Sequence, residues 1–350
     1  MVKLKTILRT ISLLTLLVVF VESTFSQTDF SLPNLKLKDS THQSIASYTS
    51  QDGVKRIPPE KFLFANHRKY MMDGQTPPLK NHINVYKMIG ITSVYTAWWL
   101  AIHIKITNES WAGKTYFRVI EDSKYTNYAD KPGHFFMGNI AAYVASEGFL
   151  FAGFSYKKAT LYGMFLGLAF MTYIEVGDGF GEHWGFSPSD QLANMAGAAY
   201  YYFQQHTPVL QNFQTKFSYI PSSWFGEPQI ITRDKNFADD YNSQSHYISI
   251  NVHNLFFKDN KNAIWPKWLN FAVGYGVKNV DHLPLQPTSR YFLALDYNMV
   301  ELLPDGGSFW NWFKQSLNFL KFPAPTLEIS DVTRFRICYP FSIRIGNFKF

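Results

Sequence analysis

The sequence predicts an α+β fold, in which a bundle of about four apolar helices, greasy enough to suit a membrane, precedes a strand-rich antiparallel region. Three observations predict it. Apolar stretches of helical length recur between Tyr86 and Gln205, and the periodicity turns from helical to alternating after Gln214. Charged residues make up only 17% of the chain while aromatics make up 18%, against ~25% charge in ordinary soluble domains. A chain of this composition either hides a large core or touches lipid.

The N-terminus reads as an export signal over residues 1–26. Lys3, Lys5 and Arg9 precede an apolar run from Ile11 to Val21, and small residues Thr24 and Ser26 occupy the positions a signal peptidase reads. The run is too short to span ~30 Å of hydrocarbon. No Cys follows it, which argues against lipid attachment at a mature N-terminus. The single cysteine, Cys338, leaves no disulfide to staple the fold. The net charge of +7 falls to a mild +5 once the signal's three basic residues and Glu22 are removed, and no basic run with interleaved aromatics is present, so nucleic acid is not an expected partner.

Residues 27–80 are polar and broken by Pro33, Pro58, Pro77 and Pro78, which predicts an extended arm. The bundle follows over 81–213. Its helices are expected at Tyr86–Ile106, Phe135–Phe154 with Glu147 inside, Ala159–Ile174, and Pro188–Gln205. Small residues four apart, Gly163 and Gly167, Ala141 and Ala145, Ala193 and Gly197, would let helix backbones approach closely. Over 214–350, alternation predicts strands at His246–Val252, Trp268–Val277, Arg290–Met299 and Arg334–Ile345, with one amphipathic helix at Ser308–Leu320. Four strands are few for a closed barrel.

Several polar residues do not fit an apolar bundle. In D-K-P-G-H, Asp130 is expected to cap the second helix, while Lys131 and His134 would sit in its first turn. Glu175 falls at a helix C-terminus, where the macrodipole disfavours a carboxylate unless it is paired; Asp178 follows. Ser187-Pro188-Ser189-Asp190 reads as a helix start, with Ser187 as N-cap and Asp190 completing a capping box. Asn194 lies one turn on, inside an apolar segment, and needs a hydrogen-bond partner. Asp130, Lys131, His134, Glu175, Asp178, Asp190 and Asn194 are thus expected to meet at one level of the bundle.

Such a set admits two uses. It can lock helix register through buried polar contacts. Alternatively His134, Glu175, Asp178 and Asp190 could hold a divalent metal, with His134 or Glu175 as a catalytic base. No H-E-x-x-H, G-x-S-x-G or phosphate-cradling loop occurs, so the lock is the favoured expectation, no organic cofactor is expected, and an enzyme is the alternative.

The motifs D-K-P-G-H (Asp130 to His134), M-T-Y-I-E-V-G-D-G-F (Met171 to Phe180) and W-G-F-S-P-S-D-Q-L-A-N-M-A-G (Trp184 to Gly197) resemble the YfiM-like family of predicted periplasmic lipoproteins of unknown function, in the longer form found in Bacteroidetes-type bacteria. D-Y-N-S-Q-S (Asp240 to Ser245), P-K-W-L-N-F-A-V-G-Y-G (Pro266 to Gly276) and L-N-F-L-K-F-P-A-P-T-L-E (Leu317 to Glu328) extend the likeness. More distantly, D-K-x-x-H, a later Glu and D-x-x-x-N-x-x-G resemble VanZ-like membrane proteins. The resemblance implies an exported, membrane-associated protein of the periplasm or outer membrane, with membrane lipid and an envelope protein as partners. It singles out Asp130, Lys131, His134, Glu175, Asp190 and Asn194, and it implies no reaction.

Overall fold

The computed structural model describes residues 48–50, 52–222, 239–260, 262–280, 286–341, 344–345 and 348–349. The expected signal segment and the arm up to residue 47 lie outside the described residues. Four long helices come first: α1 (Val85–Asn108), α2 (Asp130–Ala152), α3 (Tyr156–Asp178) and α4 (Pro188–His206). A six-stranded sheet follows: β1 (Phe213–Tyr219), β2 (Gln244–Ile250), β3 (Leu269–Lys278), β4 (Thr288–Tyr297), β5 (Ala324–Ile329) and β6 (Arg334–Tyr339). Helix α5 (Ser308–Ser316) lies between β4 and β5. The α+β architecture is as the sequence predicts.

Helix α2 is the hub, packed by α3, α4, α1 and the first two strands. Glycines set how closely the helices meet. A Cβ on Gly163 would lie 2.8 Å from the Ala142 carbonyl oxygen, one on Gly167 2.4 Å from the Ala142 nitrogen, and one on Gly197 2.0 Å from the Phe135 carbonyl oxygen. Backbones therefore touch where the small-residue spacing said they could. Helices α2 and α3 are long and apolar enough to cross a membrane. Helix α1 contributes no buried residue and exposes Ile89, Val94 and Trp98.

The segment expected as an extended arm is folded over its described part. Two short hairpins, Tyr48–Thr49 with Lys55–Arg56 and Leu63–Phe64 with His67–Arg68, lead into coil. Phe62 and Met71 join Leu150, Ala152, Phe154 and Ala159 in a core cluster at the end of α2. Prolines marked the chain as extended, but Phe62 and Met71 bury their side chains and fold the segment back against the bundle.

The sheet is an antiparallel meander in chain order, β1 to β6. It adds two strands to those expected. β1 completes the alternation that starts near Gln214. β5 contains Pro325, whose missing N–H falls where β6 bulges between Arg336 and Tyr339. A parallel bridge from Phe217 to Leu320, just ahead of β5, curls the sheet so that β1 meets the chain entering its far side. Inside this curl Lys216 pairs with Asp296 at 2.7 Å, both fully buried. The bundle docks on the outer side of β1 and β2, where Phe136 stacks on Phe217 and the Thr215 hydroxyl donates to the Asn139 side-chain oxygen Oδ1.

Candidate functional site

The chain brings the D-K-P-G-H start of α2, the end of α3 and the start of α4 to one level. Ser187 caps α4, its hydroxyl accepting the Asp190 N–H at 3.2 Å, with Pro188 in the first turn. Asp190 does not close a capping box: its carboxylate turns to Lys131 instead. Asp130 likewise is not an N-cap. It is the first residue of α2, after Ala129, and its carboxylate accepts the Tyr241 hydroxyl at 2.6 Å. In both cases a cation or phenol offers the carboxylate a stronger partner than a backbone amide does.

The Lys131 ammonium is the centre of the arrangement. It meets Asp122 at 2.7 Å, Asp130 at 3.0 Å and Asp190 still more closely. His134 stands one turn along α2. Its Nε2 lies 3.4 Å from Asp130 and 3.7 Å from Asp190, and its Nδ1 lies 3.3 Å from Glu175 and 3.2 Å from the Asn194 oxygen. Asn194 donates in turn to Glu175 at 3.4 Å. Each ring nitrogen thus faces an acceptor, the pattern of an imidazolium.

Glu175 is 1% exposed, far from a solvated helix end. Burial is the main influence on its carboxyl and pushes it up to about 8, against the pull of His134 and of the Ser187 N–H it accepts. Burial would lower the His134 imidazole, but the hydrogen bond and charge of Asp130, with the charges of Asp190 and Glu175, overcome it and raise it to about 10. Burial also lifts Asp190 to about 6 and Asp178 to about 7. For Asp130 burial is outweighed by His134 and Lys131, which hold it below the usual carboxylate range. Burial works against the Lys131 charge, yet the surrounding carboxylates hold its ammonium protonated.

Of the seven expected residues, six form this network. Asp178 stands apart: it accepts the Trp111 indole N–H at 2.6 Å and feels the others only through its charge. Asp122, Tyr241 and the Ser187 hydroxyl, which donates to Asp122 at 2.6 Å, were not foreseen. Tyr241 lies 111 residues from Asp130, and no local pattern could join them. Asp122, two residues beyond Ile120 in a turn-rich stretch, carried no signal at all.

Among the described residues, ligand atoms of Asp130, His134 and Asp190 lie within 4.8 Å of one another, close enough to share a metal ion. Glu175 and Asp178 fall outside that triad. A cavity of about 80 Å³ lies elsewhere, between the 48–80 segment, α4 and the sheet interior, lined by Lys69, Gln205, Asn251, Asn270 and Gln315 among others and by none of the cluster residues. A second buried charge borders this region. Glu147, on α2, lies 3.8 Å from Lys69 and accepts the Trp312 indole N–H at 2.9 Å, tying the N-terminal segment and α5 to the bundle.

No curated protein and no solved structure matches the chain. Residues 119–206 match the model of a family described as a predicted periplasmic lipoprotein (DUF2279), in agreement with export and membrane association. The matched segment runs from just before Asp122 to the end of α4, so the polar network apart from Tyr241 falls within it, while α1 and the sheet lie outside. Over these residues the chain is similar to a family of periplasmic lipoproteins of unknown function.

Proposed function

We propose that this is a non-enzymatic, membrane-associated protein of the cell envelope, in which the Asp130, Lys131, His134, Asp190, Glu175 and Asn194 network locks three helix ends and the sheet into one register. The observation that carries the reading is the position of Lys131. Its ammonium is enclosed by three carboxylates, and with His134 beside two of them it offsets most of their negative charge from within the chain. The protonation of the two candidate bases supports the same reading. A His134 raised to about 10 and a Glu175 raised to about 8 both hold protons at neutral pH, and a general base must be free to accept one. The closer likeness to YfiM-like and, distantly, VanZ-like proteins belongs to this reading and rests on the D-K-P-G-H and S-P-S-D-Q-L-A-N motifs.

The alternative is a metal-dependent or acid–base hydrolase or transferase acting on a lipid or cell-wall precursor. The spacing of Asp130, His134 and Asp190 favours it. Metal analysis of purified protein, with His134→Ala and Glu175→Ala compared by thermal unfolding, separates the two. The lock predicts protein without stoichiometric metal whose variants melt earlier. Stoichiometric metal, lost in both variants while the fold survives, would overturn it.

A further inference from the structure

The sheet turns an apolar face outward. In a half-buried antiparallel sheet of a water-soluble protein the apolar residues of each strand turn inward and the polar ones outward. Here β4 turns charged as well as apolar groups inward and large apolar ones outward. Arg290, Phe292, Ala294 and Asp296 are buried, and Tyr291 and Leu293, which alternate with them, are exposed. β5 buries Thr326 and Glu328 while Ile329 is exposed. The register aligns these sets across strands, Asp296 with Asn270 and Leu293 with Val273 and Leu327. The enclosed side therefore holds the Lys216–Asp296 pair beside an apolar cluster of Tyr247, Phe292 and Tyr339 with the small residues Ala272 and Ala294. The open side carries Val273, Tyr291, Leu293, Ile329, Phe335 and Ile337, each between 37% and 56% exposed.

Aromatic residues bound this apolar face along the strand direction. Trp268 and Tyr297 pair at one end with ring centroids 6.3 Å apart, and Tyr275 and Tyr291 pair at the other at 5.3 Å. Six residue steps along β4, from Tyr291 to Tyr297, separate the two rows, ~20 Å at ~3.4 Å per residue. β3 and β4 each run ten residues, the length of strands that cross a bilayer at a tilt. Buried charge inside, an apolar face outside and aromatics at both rims is an arrangement that suits lipid.

We propose that the outer face of β3 to β6 is seated against lipid acyl chains, with the Trp268–Tyr297 and Tyr275–Tyr291 pairs at the two headgroup levels. The assignment rests on the membrane association in the proposed function and gives it a surface. The Tyr275 hydroxyl is anchored within the chain, on the Asn127 carbonyl oxygen and Ser289. Trp268, Tyr291 and Tyr297 carry polar tips at the rims of an apolar face, a placement that suits a headgroup boundary better than the dry centre of a contact between two copies.

The test places a spin label at single cysteines, Tyr291→Cys, Leu293→Cys, Leu295→Cys and Tyr297→Cys, in the full chain carrying Cys338→Ser. The protein is reconstituted in vesicles of phosphatidylethanolamine and phosphatidylglycerol, with circular dichroism to confirm folding. Labels at 293 and 295 are expected to collide with oxygen several-fold more often than with a water-soluble nickel chelate. Labels at 291 and 297 should show the two reagents closer to parity. Chelate access at 293 and 295 equal to that of a surface residue would overturn the assignment, and protection from both reagents would mean a protein copy covers the face. Flotation of the same samples keeps the two readings apart. Protein that fails to float removes membrane association altogether, whereas protein that floats with 293 and 295 in water removes only this surface.

Discussion

Lys131 and His134 place two positive charges among carboxylates that burial alone would neutralise, and the pH dependence of stability follows from that balance. His134 is raised from 6.5 to about 10, so its contribution is complete below 6.5 and is lost as pH rises through 10. Glu175 is raised from 4.5 to about 8, so the folded protein holds its proton more firmly than the unfolded chain does. Between those values stability again falls with rising pH. Both effects share a sign, and urea midpoints should decline steadily from pH 6.5 to 10. His134→Gln should remove the part of that decline above pH 8. Lys131→Met leaves three buried or half-buried carboxylates facing one another and should cost about 3–5 kcal/mol in equilibrium unfolding. Asp178→Asn keeps an acceptor for Trp111 and should cost under about 1 kcal/mol. At this scale the sequence was informative wherever a polar residue stood at a helix end. His134, Glu175 and Asn194 stood out because no capping role explained them, and all three are in the network. Asp130 and Asp190 looked like caps, and only the distant Lys131 and Tyr241 contacts reveal otherwise.

Between elements, the controlling dimension is the distance from α2 to α3 and α4. Gly167 and Gly197 admit a neighbouring backbone where a methyl group would collide, so Gly167→Ala and Gly197→Ala should each lower stability by about 1–3 kcal/mol. Gly90 in α1 is the internal control: nothing lies within 4 Å of its would-be Cβ. Gly90→Ala should stabilise by about 0.5–1 kcal/mol, through helix propensity alone. Thermal unfolding of the three variants tests the contrast. The four helices were legible from apolar runs and the Ser187-Pro188 start, because those signals are local. β5 was not, since Pro325 is tolerated only by a bulge on a strand it had not yet met. Residues 48–80 were not either, because two buried side chains among many polar ones leave little trace in a window average.

In the molecule as a whole, bundle and sheet share contacts that neither could complete alone. The Tyr241–Asp130 bond, the Phe136–Phe217 stack and the Glu147–Trp312 bond cross between them. Tyr241→Phe removes a hydrogen bond to a charged group and should cost about 1.5–3 kcal/mol. Fluorescence and circular dichroism should still report one coincident unfolding transition in this variant; two separated transitions would show that bundle and sheet unfold independently. The overall class was legible because helical and alternating periods occupy separate halves of the chain. The open apolar face of the sheet was not, since alternation reads the same whichever face is buried.

The 111 residues between Asp130 and Tyr241 also impose an order in time. A chain delivered across a membrane from its N-terminus presents the D-K-P-G-H turn long before the phenol that completes it. Until β2 arrives, Asp130 has Lys131 and His134 as partners but not its neutral donor. The bundle therefore waits, charged and unfinished, for the sheet to close it.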